Sequence, residues 1–451
     1  MTPFFPANRD RPTGPLPWIA AIGAAPLAAA WLDPPSLPFV IGAFLAAGAL
    51  VLAYRHLTAA WVVWLVLTGL SLEMTVTDLI GPEAFQVAIA AAKGGELGLV
   101  ALTILRHGAI LDRFNPGWGF IAIAGMGAAA GIHPDLSSAE MLRSLIGSIT
   151  PFLLFFCVMP PGWGRAMRRA VCWVPLVSVV LGAMLDLTGV RPLFVDSGGA
   201  RLAALGHPAF LAGVCLPAIY AGLLHWLRTA SGGTALLMGV NLVILFLTGA
   251  RAPTAYAALV IGLTMLLVQQ AAMPFAHRLV VVIAGGVAIP VLLVIGETYS
   301  SLRLFAVLSG EAGHLSGRDL LWPAFEAASA QAPWFGWGLG AGNIIIPHQG
   351  QIAQLLRTWA AHNEYLRLQV EGGYIGRALL IGLFILWTAS HTRRLPGLER
   401  LTMRLIFLAL AAHAVTDNVL ISTPACVFFA FADAVYAEGR DNALPAGGVV
   451  A

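Results

Sequence analysis

Arg251 ends Thr248-Gly249-Ala250-Arg251, and Arg318 lies in Ser316-Gly317-Arg318-Asp319; both stand beside apolar stretches. His362 opens His362-Asn363-Glu364-Tyr365-Leu366-Arg367, just ahead of another such stretch. Arg201 and His207 share the segment Gly198-Gly199-Ala200-Arg201-Leu202-Ala203-Ala204-Leu205-Gly206-His207-Pro208. Arginine stays charged in any protein setting and grips phosphate oxygens bidentately. An imidazole with a near-neutral pKa takes a proton from a hydroxyl. Guanidinium groups and an imidazole gathered on one side of a membrane are what transfer from a lipid diphosphate requires. The arginines hold the leaving diphosphate and the imidazole activates the acceptor hydroxyl.

Each residue also has a plainer reading. An arginine at a helix end, such as Arg251, snorkels to headgroup phosphates. Arg318 can pair with Asp319 alone, His362 can cap a helix or face solvent, and Arg201 and His207 can simply shape a turn. Arg367, like Arg303 and Arg357, reads as a substrate contact or as a solvated or structural charge. Trp337 belongs with Trp322, Trp334 and Trp359, which serve as membrane-interface anchors or as platforms for sugar rings.

The elements that position these groups follow from composition. The chain has 451 residues, of which 59% are hydrophobic and only 10% charged. A soluble domain carries about 25% charged residues, so a soluble enzyme is excluded. Continuous apolar runs also exclude a β-barrel, whose strands are short and alternate. The expected fold is all-α and polytopic, with about twelve to fourteen transmembrane helices. The runs are Trp18–Leu32, Pro38–Ala53, Ala59–Val76, Phe85–Leu105, Trp118–Ile132, Leu145–Met159, Ala170–Leu187, Phe210–Leu227, Ala235–Leu247, Pro253–Val268, Leu279–Ile295, Val370–Trp387, Leu401–Val415 and Val419–Tyr436. The first run lacks a clean small-residue cleavage site and is expected to be a retained span.

Arginine placement orients the runs. Arg9, Arg11, Arg55, Arg106, Arg113, Arg165, Arg168, Arg169, Arg228, Arg278, Arg393, Arg394, Arg400 and Arg404 all fall on one side if every run spans. That side is expected to be the cytoplasm, with both termini there. The opposite side then holds Arg201, Arg251, Arg318 and His362, and one long hydrophilic segment, residues 297–361. Within a single membrane domain covering residues 1–451, this segment is expected to be a large periplasmic loop with short helices. Loops of this length are usually functional, and its arginines defy the charge rule that orients the rest. An anionic ligand explains them.

Other chemistries find less support. The net charge is +3, and no basic run suggests nucleic acid. Of 25 basic residues only Lys93 is lysine. Cys157, Cys172, Cys215 and Cys426 are scattered and make no CxxC pair, so neither a zinc site nor a redox pair is indicated. No Asp-x-Asp pair occurs in the outer segments, so no metal and no cofactor is expected. Gly336-Trp337-Gly338-Leu339-Gly340-Ala341-Gly342 lacks the strand of a dinucleotide loop and reads as a turn or close backbone approach. Glu73, Lys93, Glu96 and Asp186 lie in or near apolar runs. Intramembrane charges are functional candidates, so a transporter stands as an alternative, although no internal repeat accompanies them.

The ordered set Gly206-His207-Pro208, Leu247 to Arg251, Ser316-Gly317-Arg318 with Trp322, Pro333 to Gly340, His362 to Leu366 and Glu371 to Gly376 resembles the O-antigen ligase and polymerase superfamily of bacterial membrane glycosyltransferases. The resemblance covers roughly residues 201–376. Ala250 departs from the serine common there, Thr416-Asp417-Asn418 is a second departure, and the run count exceeds the usual twelve. The resemblance implies a GT-C-like fold in the bacterial inner membrane. It implies a metal-independent, inverting transfer of a glycan from undecaprenyl diphosphate at the periplasmic face. The acceptor would be lipid A-core for a ligase, or a second lipid-linked glycan for a polymerase of O-antigen or exopolysaccharide. Carried over, Arg251 and Arg318 bind the diphosphate, His362 is the base or a key acceptor-side group, and Arg201 is an addition to them; His207, Arg367 and Trp337 are expected, with Arg201, to contact substrate. Arg251→Lys is expected to lose glycan transfer, because an ammonium cannot supply the bidentate fork. Retained transfer in a complementation assay would reduce Arg251 to a headgroup anchor.

Overall fold

The computed structural model describes residues 48–81, 83–196, 199–299, 318–356 and 358–443; of residues 289–299, 318, 319 and 441–443 it describes the backbone alone. The expected run Trp18–Leu32, Arg9 and Arg11, Arg303, Arg357 and the side chain of Arg318 therefore lie outside the described residues.

The described chain is an all-α polytopic membrane protein. Its helices are α1 (Gly48–Arg55), α2 (Leu57–Gly69), α3 (Glu73–Ile80), α4 (Glu83–His107), α5 (Gly117–Ala130), α6 (Ser138–Leu153) and α7 (Trp163–Leu187). A small hairpin follows, β1 (Phe194–Asp196) and β2 (Ala200–Leu202), antiparallel with Val195 opposite Arg201. Then come α8 (Pro208–Thr229), α9 (Gly232–Leu247), α10 (Arg251–Leu267), α11 (Phe275–Tyr299), α12 (Arg318–Gln331), α13 (Gln351–Leu356), α14 (Glu364–Thr392), α15 (Gly397–His413) and α16 (Thr423–Ala443). Among the described residues five helices are long and apolar enough to cross a membrane, namely α4, α6 with its 3-10 extension, α7, α8 and α14. The pair α1 and α2 qualifies as one bent span, and α5, α9, α10 and the first part of α11 are shorter apolar helices.

Most apolar runs became single helices, but Ala59–Val76 did not. Ser71 sits at φ 52°, in the left-handed region, and the chain turns there from α2 into α3. The run is apolar in composition, yet Ser71 and Glu73 supply the break. α8 is apolar all round and lies at the centre, with 78% of its span window buried. A helix without a polar face must be enclosed by others. Here the core includes Trp61, Trp163, Trp387, Phe152 and Phe429.

The bundle has two chemically distinct ends. At one, Arg168 at the start of α7 pairs with Glu438 of α16 at 2.6 Å, and Arg228 at the end of α8 pairs with Glu399 of α15. Arg278 donates to the Met265 carbonyl at 2.8 Å, and Arg400 donates to that of Leu395 at 2.9 Å. At the other end lie the start of α8, the α9–α10 turn, the start of α14 and the α15–α16 turn. The 22 residues of α8 separate the two by about 33 Å, close to the thickness of a bilayer core.

A second, smaller core caps the end away from these arginines. Leu136, Leu321, Phe325, Ala341, Ile346, Ala353, Ala361 and Val370 pack together there. The glycine alternation of residues 336–342 is what docks this cap. α14 breaks at Gly373 (φ 60°, ψ −164°), and the segment Pro333–Gly338 lies against the break. The Trp337 N–H donates to the Val370 carbonyl at 2.8 Å and the Gly338 N–H to that of Glu371 at 3.0 Å. Tyr374 N–H donates to the Pro333 carbonyl at 2.8 Å. The broken helix thus recovers backbone partners that a buried break would otherwise lose. A side chain at Gly373 would place its Cβ 2.3 Å from the Trp334 carbonyl carbon, and one at Gly127 would lie 2.5 Å from the Gly338 Cα. Gly373→Ala is therefore expected to undock the cap. The positive φ alone costs about 1–3 kcal/mol, and the overlap adds to it. A lower thermal midpoint and faster proteolysis near residues 334–338 are expected; a wild-type melting curve would contradict the docking role.

Candidate active site

His362 stands in the left-handed region, at φ 47°. Such a backbone is uncommon without glycine and persists only where its surroundings fix it. Both neighbours are fixed here. The Trp322 indole of α12 donates to the Ala361 carbonyl at 2.9 Å. The Glu364 N–H donates to the Ala414 carbonyl, at the end of α15, at 2.8 Å. Asn363 caps α14 by accepting from the Leu366 N–H at 3.1 Å, as expected of an N-cap asparagine.

The imidazole is held at both nitrogens. Nδ1 lies 3.2 Å from Oδ1 of Asp417, 55 residues on, and Nε2 lies 3.0 Å from the Thr358 hydroxyl. Asp417 sits on the turn between α15 and α16. Burial raises its pKa, but the hydrogen bond and charge of His362, the charge of His413 and the Asn418 N–H outweigh that and hold it down to about 2. A carboxylate that is always ionised only accepts hydrogen bonds. A proton on Nδ1 satisfies that carboxylate, and in the neutral ring the Nε2 lone pair then accepts from the Thr358 hydroxyl. This tautomer follows from the network. It is the arrangement of a general base oriented by a carboxylate.

The other face of Asp417 meets His413, whose Nε2 is 3.9 Å from Oδ2. His413 in turn packs on Tyr256 of α10, with ring centroids 5.5 Å apart. Arg251 opens the same helix and is half-buried. The Gly249 turn (φ 64°) sets that start, and a helix N-terminus adds partial positive charge beside the guanidinium. Arg201, from β2, donates through Nε to the Thr248 carbonyl at 2.8 Å, three residues before Arg251. His207 caps α8 by accepting from the Ala209 N–H at 3.2 Å. Its pKa is pushed down to about 4, first by burial and then by the charges of Arg201 and Arg191; Asp417 opposes this and His362 adds to it. His207 is thus a neutral cap within electrostatic reach of Arg201, Asp417 and His362.

Arg201, His207, Arg251 and His362 therefore meet at one end of the bundle. The backbone of Arg318 opens α12, which also supplies Trp322; the Arg318 side chain lies outside the described residues. Arg367 and Trp337 are not brought to this group. The Arg367 guanidinium is buried on α14 between Glu364 and Glu371, with Nη1 2.5 Å from Glu371 Oε2. Trp337 is built into the cap, its indole donating to the Ala328 carbonyl at 2.8 Å while its ring packs edge-on against His133. Asp417 was not marked as a site residue by the sequence. Its signal was a lone carboxylate in the short turn between two apolar runs.

Two intramembrane charges brace the Asp417 turn. Lys93 Nζ donates to the Gly147 carbonyl at 3.2 Å and reaches that of Ile421 at 3.5 Å. Glu73 accepts from the Thr423 hydroxyl at 3.1 Å. Arg191, paired with Asp78, donates to the Gly206 carbonyl at 2.7 Å and so fixes the segment before His207.

Residues 233–381 match the family model of the O-antigen ligase domain. That stretch, about a third of the chain, is similar to the O-antigen ligase domain and supports that superfamily. No curated protein matches the chain. The matched stretch includes Arg251, Arg318 and His362, whereas Arg201, His207 and Asp417 lie outside it and join the site through the fold.

The burial of Arg367 has a measurable consequence. Arg367→Met leaves Glu364 and Glu371 buried without their counter-charge, which costs about 3–5 kcal/mol. Poor accumulation of the variant in membranes is expected, where a surface substrate contact would give a folded but inactive protein.

Proposed function

We propose that this O-antigen ligase-domain protein transfers a glycan from undecaprenyl diphosphate to an acceptor hydroxyl at the periplasmic face of the bacterial inner membrane. The observation that carries the reading is the Asp417-held imidazole at the end of the bundle that also holds Arg201 and Arg251, next to the start of an apolar cleft. The cleft, about 510 Å³, opens between α14 and α15. It starts at Glu364 and Tyr365, beside His362, and ends at Thr392 and Arg404, with Leu380, Phe384, Phe407 and Leu410 along its wall. Its lining runs from the first residue of α14 to the last, on both sides of the break at Gly373. One leaflet of hydrocarbon is about 15 Å, half of a bilayer core. A long isoprenoid tail fits that reach better than an ordinary acyl chain.

The side is assigned by charge. The end holding Arg168, Arg228, Arg278 and Arg400 is the cytoplasmic one by the positive-inside rule, so the His362 end faces the periplasm. There the arginines, with Arg318 at the start of α12, hold the diphosphate, and their fixed positive charge stabilises the negative charge that builds on it as the glycosyl bond breaks. His362 Nε2 takes the acceptor proton as the hydroxyl oxygen attacks the anomeric carbon. Asp417 stabilises the imidazolium that forms. A single displacement of this kind inverts the anomeric centre, and the guanidinium groups take the role a divalent cation plays in other glycosyltransferases. The bracing roles of Lys93 and Glu73 weigh against a transport pathway.

His362→Ala is expected to abolish transfer with the protein still in the membrane. Asp417→Asn, which keeps the shape but presents the wrong partner to Nδ1, is expected to lower it by about 100-fold or more. The surface polysaccharide of a deletion strain complemented by each variant measures both. Core without chains, and long lipid-linked polymer behind it, indicates a ligase; at most one repeat on the core, or no secreted polymer, indicates a polymerase. Normal glycan display with His362→Ala would overturn the enzyme proposed.

A further inference from the structure

The hydroxyl on His362 Nε2 comes from the protein itself. Thr358 Oγ1 lies 3.0 Å from that nitrogen and also accepts from the Ala360 N–H at 3.3 Å. It occupies the place where a substrate hydroxyl must arrive to be deprotonated. The next residue, Trp359, keeps 42% of its surface exposed. Its ring is braced by the imidazole of His348, with centroids 4.2 Å apart and planes tilted by 33°. His348 is fixed in turn by its 3.2 Å contact to the Asn343 carbonyl. An aromatic ring held in place beside a polar group that handles hydroxyls suits one ligand class well. The C–H face of a pyranose packs on the ring while its hydroxyls reach the polar groups.

We infer that Thr358 and Trp359 form the acceptor-sugar subsite, in which the Thr358 hydroxyl holds the place of the attacking sugar hydroxyl and the Trp359 ring carries the pyranose. This rests on His362 being the base and adds the residues that bind the second substrate. A resting enzyme then has its base capped, and a sugar seated on Trp359 displaces Thr358 from Nε2. The other exposed loop tryptophan, Trp334, differs. It packs edge-on against Tyr374, at 5.9 Å, and Tyr374 carries Arg377 over its ring at 5.6 Å. That aromatic and arginine group has the composition of an interface anchor.

Saturation-transfer NMR on the full chain in lipid nanodiscs, with methyl β-glucopyranoside, methyl β-galactopyranoside and methyl α-mannopyranoside as probes, tests the subsite. The wild-type chain is expected to saturate the ring C–H protons of at least one probe. Trp359→Ala should weaken that binding by about tenfold, Trp359→Phe should largely restore it, and Trp334→Ala should leave it unchanged. Thr358→Val, which removes the competing hydroxyl, should tighten it by up to about tenfold. No saturation by the wild-type chain, equal saturation with Trp359→Ala, or weaker binding with Thr358→Val would each overturn the subsite. His362→Ala separates the two readings. It should keep Trp359-dependent sugar binding while losing glycan transfer. If it transfers glycan normally, the catalytic reading fails while the sugar site stands; if transfer is lost but Trp359→Ala binds sugar normally, only the subsite fails.

Discussion

The arrangement depends on one contact, the hydrogen bond from His362 Nδ1 to Asp417 at 3.2 Å. It joins the start of α14 to the turn between α15 and α16, and it decides which imidazole nitrogen is basic. Much of the surrounding structure can be read as support for it. Trp322 and Ala414 fix the backbone on either side of His362, while Lys93 and Glu73 hold the far side of the Asp417 turn. The supporting contact of Glu73 is buried, where an unmade bond is costly, while His362 and Asp417 keep 31% and 35% of their side chains exposed, open to an arriving substrate. A site built this way is rigid before substrate arrives, which is what electrostatic catalysis requires.

The division of labour between the ends of the bundle follows from the same physics. Guanidinium groups have few comfortable positions in a protein this apolar. At one end they pair with Glu399 and Glu438 or cap helix carbonyls, and their charge is balanced internally. At the other, Arg201 and Arg251 converge with His207 at the margin of the bundle. Arg367 shows the contrast within a single helix. Glu364 and Glu371 lie three and four residues away on α14 and enclose it.

Much of this was legible in the sequence. Long apolar runs gave the helices because a buried or lipid-facing helix needs no polar face. The convergence of Arg201, Arg251 and His362 on one side was legible from run parity alone. The spacing of Glu364, Arg367 and Glu371 already encoded the buried ion pairs, and only the choice to read Arg367 as a substrate contact obscured them. The glycines of residues 336–342 announced a close backbone approach, but nothing local said that the partner would be a break at Gly373. The break of Ala59–Val76 at Ser71 was hidden by an apolar average. Asp417 was the hardest to see, because a contact spanning 55 residues leaves no periodic trace. Only the fold of α14 against α15 creates it.

The most direct test of the central contact is the ¹⁵N NMR spectrum of the histidine-labelled protein at neutral pH, with the His362 signals identified by their loss in His362→Gln. The Asp417 contact requires a proton on Nδ1, and Asp417→Asn should disturb that signal. A His362 ring without a proton on Nδ1, or one indifferent to Asp417→Asn, would contradict it.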